Sequence, residues 1–429
     1  MASITLINPN RMKPAVAPIG LDYLAEALAL AGHQVHILDL CFSDDWRADI
    51  AAHLASTQAD LVGLTVRNTD DCYFASQDCF LPYFKEVIAN IHAHTAAPVV
   101  VGGAGLSVAP TAIARFLEVE YAIQGEGEAA LPLLVSRLQN GEVLAEVPGL
   151  VYREAGEYRM NPPAFLDLTA VPPRSRRWLD NRRYFAEGGQ AGMETKRGCP
   201  GRCIYCADPL GKGRVCRLRP PDYVVSEMRA LVDQGVDCFH LCDAEFNMPL
   251  RHALDVCRAI VDSGLAERLS WYTYASPAPF TDELAGLMQR AGCRGINFGA
   301  DSGDDAMLRA LGREYTAADI RRTADICRRH GITVMFDLLI GGPGETRESV
   351  KRSIDLMKAL DPARVGLSVG VRVYPGTQMA DLVRQQGFSS ANPALHGQIE
   401  GNDDLVFPIY YLAPEVGVEV NDYIADLVA

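Results

Sequence analysis

The sequence predicts an α/β protein of two units, a five-stranded doubly wound parallel sheet followed by a partial (β/α)6 barrel. Short apolar runs alternate with amphipathic helical segments along most of the chain, which is typical of parallel sheets. The 429 residues exceed the length of one ordinary domain. A proline-rich stretch at 141–191 interrupts the alternation, and we interpret it as a linker with a hairpin at Gly156.

In the first unit, residues 1–140, five apolar runs are predicted as strands. These strands are SITLIN, QVHILDL, ADLVGLTV, APVVVGGAG and EYAIQGEGE, and the helices between and after them are expected at 18–31, 46–56, 81–94, 111–117 and 129–138. Strands that are apolar along their whole length indicate a sheet covered by helices on both faces. The first turn lacks the G-x-G-x-x-G pattern, so a dinucleotide site is not expected there.

In the second unit, residues 192–375, the alternation repeats six times. Strands are expected at 192–196, 236–242, 269–275, 295–300, 333–340 and 364–373, with helices that include 249–263, 281–291, 317–330 and 347–360. A closed eight-fold barrel needs about 250 residues, so six repeats favour an open one. Residues 376–429 form an extension that shows no clear closing element.

Composition excludes several classes of protein. The net charge of −14 argues against nucleic-acid binding, because neutralising phosphates needs a basic surface. The N-terminus lacks the pattern of a signal peptide, and no apolar run reaches the roughly 18 residues of a membrane span. We therefore expect a cytoplasmic protein, and most of its twelve cysteines to be small buried residues rather than disulfides.

The segment ETKRGCPGRCIYCADP places Cys199, Cys203 and Cys206 in a C-x3-C-x2-C spacing. The segment follows the first barrel strand, and active sites of such barrels lie at the carboxyl ends of the strands. A structural zinc site needs four ligands, usually in two separated pairs. Three thiolates on one loop instead suit a [4Fe–4S] cluster with one iron left open.

This cysteine loop resembles that of the radical SAM superfamily, and the resemblance covers about residues 192–375. It implies that Cys199, Cys203 and Cys206 ligate the cluster and that the open iron binds the amino and carboxylate groups of S-adenosylmethionine. Reductive cleavage would then give methionine and a 5′-deoxyadenosyl radical. The resemblance also implies a flavodoxin- or ferredoxin-type electron donor.

Three further segments resemble the supporting motifs of the superfamily. In LCDAEFN, either Asp243 or Glu245 would lie near the methionine amino group, and the absence of the usual Gly-Gly-Glu leaves both open. In GADSGDD, Asp301 and Ser302 would contact the ribose, although glutamate is commoner at the first position. In DLLIGGPGET, Gly341 would permit close approach of the backbone to the adenine.

The first unit resembles the Rossmann-like cobalamin-binding domain that precedes the barrel in one radical SAM class. APIGLDYLAEALALAGHQVHILD, VVVGGAGLSVAP and AIQGEGEAALP carry the resemblance, but the D-x-H-x-x-G motif is absent, so no histidine ligand to cobalt is expected. Arg67 is the candidate for the lower face of the cobalt, the alternative being a surface arginine paired with Asp70 or Asp71. The other candidate cobalamin contacts are Gly102, Gly103, Gly105 and Glu126.

The resemblance predicts a cobalamin-dependent methyltransferase that acts on an unactivated carbon of a small molecule or natural-product intermediate. Two alternatives stay open. One is radical cyclisation, rearrangement or another group transfer, with or without cobalamin; the other is a non-catalytic sensor that binds a corrinoid or a cluster. We expect substrate contacts at the barrel mouth, where the candidate aromatic residues are Tyr272, Tyr274, Tyr374 and Tyr410.

Overall fold

A computed structural model describes residues 1–428. The elements of the first unit are β1 (Ser3–Asn8), α1 (Ile19–Leu30), β2 (Gln34–Asp39), α2 (Trp46–Thr57), β3 (Leu61–Thr65), α3 (Leu81–His94), β4 (Val99–Gly102), α4 (Pro110–Leu117), β5 (Tyr121–Ile123), α5 (Gly127–Asn140), β6 (Leu150–Glu154) and β7 (Glu157–Met160). The strand order is β2-β1-β3-β4-β5-β6-β7, and the first five strands are parallel. The doubly wound parallel sheet is therefore confirmed.

Helices cover both faces of this sheet. On one face, Leu28 of α1 and Leu134 of α5 belong to a single apolar cluster. On the other, a second cluster joins Ile50 of α2, Ile88 of α3 and Ile113 of α4. Burial on both faces explains why the strands read as continuous apolar runs.

The hairpin expected within the linker is β6–β7, with Ala155 and Gly156 at positive φ in its turn. The structure adds this hairpin to the first sheet, because β6 pairs antiparallel with β5. The chain reaches the free edge of β5 through α5 and residues 141–149, and there β6 covers that edge. The sheet thus has seven strands, of which the expected five are parallel.

The barrel unit forms a six-stranded parallel sheet with the order β8-β11-β12-β13-β14-β15. Its elements are α6 (Asn181–Gly188), β8 (Ala191–Met193), β9 (Lys196–Arg197), α7 (Asp208–Lys212), β10 (Arg217–Leu218), α8 (Pro221–Asp233), β11 (Cys238–Leu241), α9 (Leu250–Asp262), β12 (Ser270–Ala275), α10 (Asp282–Arg290), β13 (Cys293–Asp301), α11 (Asp305–Ala310), α12 (Ala317–Arg329), β14 (Thr333–Ile340), α13 (Arg347–Leu360) and β15 (Arg364–Val369). The strand order does not close on itself, as the partial barrel requires. No helix within residues 1–428 has the length and apolar character needed to cross a membrane.

β16 (Val371–Arg372) lies within the strand expected at 364–373, and the extension that follows forms α14 (Gln378–Gln386), β17 (Leu395–Gly397), β18 (Ile409–Tyr411) and α15 (Val420–Val428). The expectation that it lacks a closing element is wrong. The three strands form an antiparallel sheet, and Val420 and Ile424 of α15 are buried in the barrel core together with Ile354 of α13. Strands of two or three residues are too short to show a period-2 pattern, so the sequence gives no signal for them.

Several buried ion pairs join the first unit to the barrel, and two groups of them are called the clamps here. At one side, Asp70 accepts hydrogen bonds from the guanidinium of Arg372 at 3.1 and 3.0 Å, and both side chains are buried. At the other side, the fully buried Arg176 donates to Asp22 of α1 at 2.6 Å and to Glu227 of α8 at 3.0 Å. These ion pairs hold the carboxyl ends of the two sheets against one another.

Candidate functional site

A cavity of about 740 Å³ lies between the carboxyl ends of the two sheets. The first unit contributes Arg67 and the glycines that follow β4, and the barrel contributes Gly192, Cys206 and Cys242. This volume falls in the range of protein sites for small molecules and cofactors. The structure therefore brings the cysteine loop and the predicted cobalamin loops to one place.

The loop of Cys199, Cys203 and Cys206 is tightly folded. A Cβ on Gly198, which has a φ of +90°, would overlap the carbonyl oxygen of Val215, so only glycine fits at this turn. A Cβ on Gly201 would lie 3.3 Å from the sulfur of Cys199 and 3.8 Å from that of Cys203. The two sulfurs thus converge around a position that has no side chain.

The three thiols of this loop suit an iron–sulfur cluster by their chemistry. One ion would need its sulfur ligands within about 2.3 Å of a common point, and no three potential ligands among residues 1–428 are gathered in this way. In an iron–sulfur cluster each thiolate binds a different iron, so the sulfurs stand further apart. Burial raises the pKa of Cys206 to about 12 and also raises the pKa values of Cys199 and Cys203, so thiolates there need cationic partners such as iron.

A hydrogen-bonded group supports the cysteine loop from the far side of the barrel. Asp301, which has a φ of +56°, accepts bonds at 2.6 Å from the hydroxyl of Tyr205 and from Nε of Arg313. Arg313 also donates to the Tyr205 hydroxyl at 2.8 Å and lies 3.5 Å from the carboxylate of Glu245. Asp301, which was predicted to contact ribose, therefore fixes Tyr205, the residue between Cys203 and Cys206.

The structure separates the roles of Asp243 and Glu245. Asp243 is buried and accepts hydrogen bonds from Thr195 N and Oγ1 and from Lys196 N, at 2.8, 2.5 and 3.3 Å. These bonds engage both oxygens of the Asp243 carboxylate and fix the backbone at Thr195 and Lys196, after β8. Glu245 forms an ion pair with Arg313 at 3.5 Å, and burial raises its pKa to about 7. Glu245 is the carboxylate available to a ligand.

Ser302 and Gly341 make contacts that shape the loops themselves. The hydroxyl of Ser302 is buried, lies 3.1 Å from that of Ser353 and accepts from Asp304 N. A Cβ on Gly341 would overlap Leu412 of the extension, and its N–H donates to Glu345. A direct contact of either residue with S-adenosylmethionine stays a prediction.

Arg67 lies in the cavity wall, half-buried. The alternative partners proposed for it are occupied elsewhere. Asp70 is paired with Arg372, and Asp71 accepts from Tyr73 N and Ser76. Within residues 1–428, Arg67 forms no ion pair or side-chain hydrogen bond, so the interpretation as a paired surface arginine is wrong. An arginine without a partner in a cavity wall is available to a ligand.

The other residues predicted to contact cobalamin also line the cavity. Contacts inside the protein account for most of them. A Cβ on Gly103 would lie 2.6 Å from Val66 O, and one on Gly105 would lie 3.0 Å from Arg67 O, whereas Gly102 has more room. Glu126 accepts from both Arg217 Nη1 and Leu166 N at 2.7 Å. Close packing between loops requires two of the glycines, and an ion pair occupies the glutamate.

The four candidate tyrosines differ in their surroundings. Tyr272 and Tyr274 are 40% and 43% exposed, and Tyr374 lines the cavity, where its hydroxyl lies 3.2 Å from Cys72 Sγ. Tyr410 is buried, and its ring packs edge-on against Phe74. The first three are accessible to a ligand, and Tyr410 is a core residue.

Reasoning from the sequence missed Arg313 and Arg176. Arg313 stands in GADSGDDAMLRALGREYT, twelve residues after Asp301, and an arginine so near an acidic motif is a usable signal. Arg176 lies in the linker, in the arginine-rich segment PRSRRWLDNRR, which the sequence alone indicates only as a solvated or carboxylate-binding face. Its partner Asp22 is 154 positions away, so no local pattern reveals the pair.

Each of the two units matches a known protein family. Residues 193–357 match the family model of the radical SAM superfamily, and residues 10–135 match that of the B12 binding domain. A tryptophan 2-C-methyltransferase from Streptomyces laurentii is 35% identical over 90% of this chain and 75% of its own length. Structures of the radical S-adenosylmethionine methyltransferase TsrM from Kitasatospora setae cover all of this chain and 88% of theirs. The structure with tryptophan and aza-SAM has a TM-score of 0.93 at 32% identity, and the structure with cobalamin and a [4Fe–4S] cluster has 0.90 at 31%.

Proposed function

The chain belongs to the radical SAM superfamily, among its cobalamin-dependent methyltransferases, and on this premise we propose that it methylates a carbon of tryptophan or of a closely related indole. The observation that carries the proposal is the shared cavity, onto which both the three-cysteine loop and the B12-type strand ends open. The names of the Streptomyces relative and of the TsrM structure with bound tryptophan support the choice of substrate.

Different residues of the site would bind the different cofactors. Cys199, Cys203 and Cys206 would hold the cluster, and Glu245 would contact the S-adenosylmethionine bound beside it. Arg67 would face the lower side of the corrinoid. When bound, the cluster supplies electrons for reductive cleavage of S-adenosylmethionine, and the corrinoid carries the methyl group.

The chain's own contribution is orientation and the exclusion of water. Arg313 and Tyr205 fix Asp301 and the cysteine loop, so a cluster bound by this loop would be held on a rigid support. The two clamps, Asp70 with Arg372 and Arg176 with Asp22 and Glu227, keep the strand ends together. Such enclosure protects reactive species from solvent.

The test uses protein purified without oxygen from cells supplied with cobalamin. It is incubated with tryptophan, a low-potential reductant and S-adenosylmethionine whose methyl group carries deuterium. We expect a tryptophan product that contains the labelled methyl on carbon, identified by mass spectrometry and NMR. The radical route that the resemblance implies also predicts 5′-deoxyadenosine among the products.

A cysteine pair provides the matched control. Cys203→Ala should lose iron, sulfide and all methyl transfer. Cys216→Ala should retain them, because Cys216 Sγ instead lies 3.6 and 3.7 Å from the carbonyl oxygens of Gly198 and Met248. A product without an added methyl would favour another radical reaction. Protein that carries cluster and corrinoid but never cleaves S-adenosylmethionine would favour a sensor.

A further inference from the structure

The inner face of the open barrel carries a polar site that the cofactor assignments leave unused. Residues on this face are found from the register of the parallel strands, because paired residues point to the same side. Gly192, which lines the cavity, pairs with His240, and His240 pairs with Tyr272. Further along the strands, Tyr274 pairs with Asn297, and Asp337 pairs with Gly366. Tyr272 and Tyr274 are exposed on this face, whereas their strand neighbours Trp271 and Thr273 are buried.

Asn297 of β13 and Asp337 of β14 form the polar part of this site. The Nδ2 group of Asn297 donates to Asp337 Oδ2 at 2.7 Å. The Oδ1 atom of Asn297 is buried, and within residues 1–428 it has no hydrogen-bond partner. Leaving a buried acceptor without a donor is unfavourable, so the Oδ1 atom of Asn297 is available to a donor group of a ligand.

The carboxylate of Asp337 is placed against a glycine. A Cβ on Gly366 of β15 would overlap Asp337 Oδ1, so this position of the carboxylate requires the missing side chain. Within the described part of the chain, no lysine, arginine or histidine forms an ion pair with Asp337. The acceptor oxygens of Asn297 and Asp337 are thus not paired with a cation, which suits a donor with positive charge.

Aromatic rings flank the two acceptors. The ring of Tyr274 packs edge-on against that of His240, with centroids 4.9 Å apart. Tyr274 is the register partner of Asn297 on the neighbouring strand, so its side chain lies next to the Asn297–Asp337 pair on the same face of the sheet. Tyrosine faces bind both aromatic rings and ammonium groups.

We propose that Asp337, with the carbonyl oxygen of Asn297, binds the primary ammonium group of the substrate, while Tyr274 contacts its aromatic ring. This inference rests on the proposed function, since it names the substrate class of the same site. The substrate is therefore an aromatic amino acid or arylalkylamine with a free amine. Asp337 is a specificity residue that acts in binding, not in the methyl transfer itself.

The experiment measures binding to the anaerobic holoprotein by calorimetry. The ligands are tryptophan, tryptamine and indole-3-propionate, which lacks the amine. Asp337→Asn keeps the shape and removes the charge, and Gly366→Ala keeps the charge but displaces the carboxylate. Asp355→Asn, an exposed aspartate paired with Lys351, is the control for loss of one acidic charge.

We expect Asp337→Asn and Gly366→Ala to weaken tryptophan and tryptamine binding roughly 10- to 150-fold, the range for a hydrogen bond to a charged group. Binding of indole-3-propionate, the optical spectra of both cofactors and all properties of Asp355→Asn should not change. Equal affinities of the wild type for tryptophan and indole-3-propionate would overturn the inference, as would failure of the wild type to bind either amine.

The two proposals can fail separately. Selective loss of amine binding without any methylated product would support the ammonium site and refute the proposed methylation of tryptophan. Methylated tryptophan formed with an unchanged KM by Asp337→Asn would refute the ammonium site and leave the proposed function standing. Variants that lose cluster or corrinoid signals would show that the two residues maintain the fold, which also contradicts the inference.

Discussion

Replacement of Arg176 by methionine should destabilise the protein more than any surface charge change. The guanidinium is fully buried and donates to Asp22, Glu227 and the carbonyl oxygen of Gly192 at 2.6, 3.0 and 3.1 Å. Glu227 would keep Arg219 at 2.6 Å, whereas Asp22 would keep only the N–H of Trp178 at 3.3 Å. The variant therefore leaves one carboxylate buried without a cation.

The magnitude follows from that single uncompensated charge. Removing one partner of a buried ion pair costs about 3–5 kcal/mol. Unfolding entropy of about 2.1 cal/mol/K per residue gives ~0.9 kcal/mol/K for this chain. The apparent Tm should therefore fall by about 3–6 °C. Because Arg176 also binds the backbone of Gly192 at the cavity wall, retention of the corrinoid should fall with it.

The assay is thermal unfolding of the anaerobic holoprotein, followed by intrinsic fluorescence. Arg251→Met is the matched control, because Arg251 is 83% exposed in its pair with Asp255 and should change the Tm by less than about 1 °C. The double variant Arg176→Met, Asp22→Leu should recover most of the loss, since no unpaired charge remains. An unchanged Tm in Arg176→Met, or a double variant less stable than the single one, would refute this reasoning.

Two further predictions concern Arg67 and Glu345. Arg67→Met should weaken corrinoid binding about tenfold, measured as the corrinoid retained on gel filtration. The control is Arg115→Met, which removes an exposed arginine paired with Asp404 and should not change retention. Equal retention by the two variants would contradict the role of Arg67. Burial raises the pKa of Glu345 from 4.5 to about 7, so its contribution to stability is complete below pH 4.5 and is lost as pH rises through 7. Glu345→Gln should remove the part of this loss that falls between pH 5 and 8, about 2.5 kcal/mol. The Tm difference, variant minus wild type, should therefore grow by roughly 3 °C over that range, and a constant difference would contradict the assignment.

Elements with long periodic patterns could be predicted from the sequence almost to the residue. The helices Leu81–His94 and Arg347–Leu360 and the strand Thr333–Ile340 have the predicted bounds. Each has enough residues for its apolar period to stand out. The hairpin was predicted from its glycine turn, but its pairing with β5 was not, because the edge it joins is set by tertiary structure.

In the candidate site too, local patterns could be predicted from the sequence and contacts between distant residues could not. The spacing of Cys199, Cys203 and Cys206 is local, so it could be read directly. The choice between Asp243 and Glu245 depended on bonds from Thr195, 48 positions away from Asp243. The pairing of Asn297 with Asp337 spans 40 positions and two strands. Contacts of this kind depend on which strands are neighbours in the sheet. That order is set by the complete fold and is not visible in any local pattern.

The two clamps restrict how a bulky cofactor reaches its place. A hinge motion that widened the cavity would have to break the Asp70–Arg372 pair or the Arg176 group, both of which are desolvated. The order of folding and corrinoid binding is therefore important. We expect the corrinoid to enter most easily before the two clamps have formed, during folding of the newly made chain. Corrinoid fed to the growing culture should fill the protein more completely than corrinoid added to the purified apoprotein.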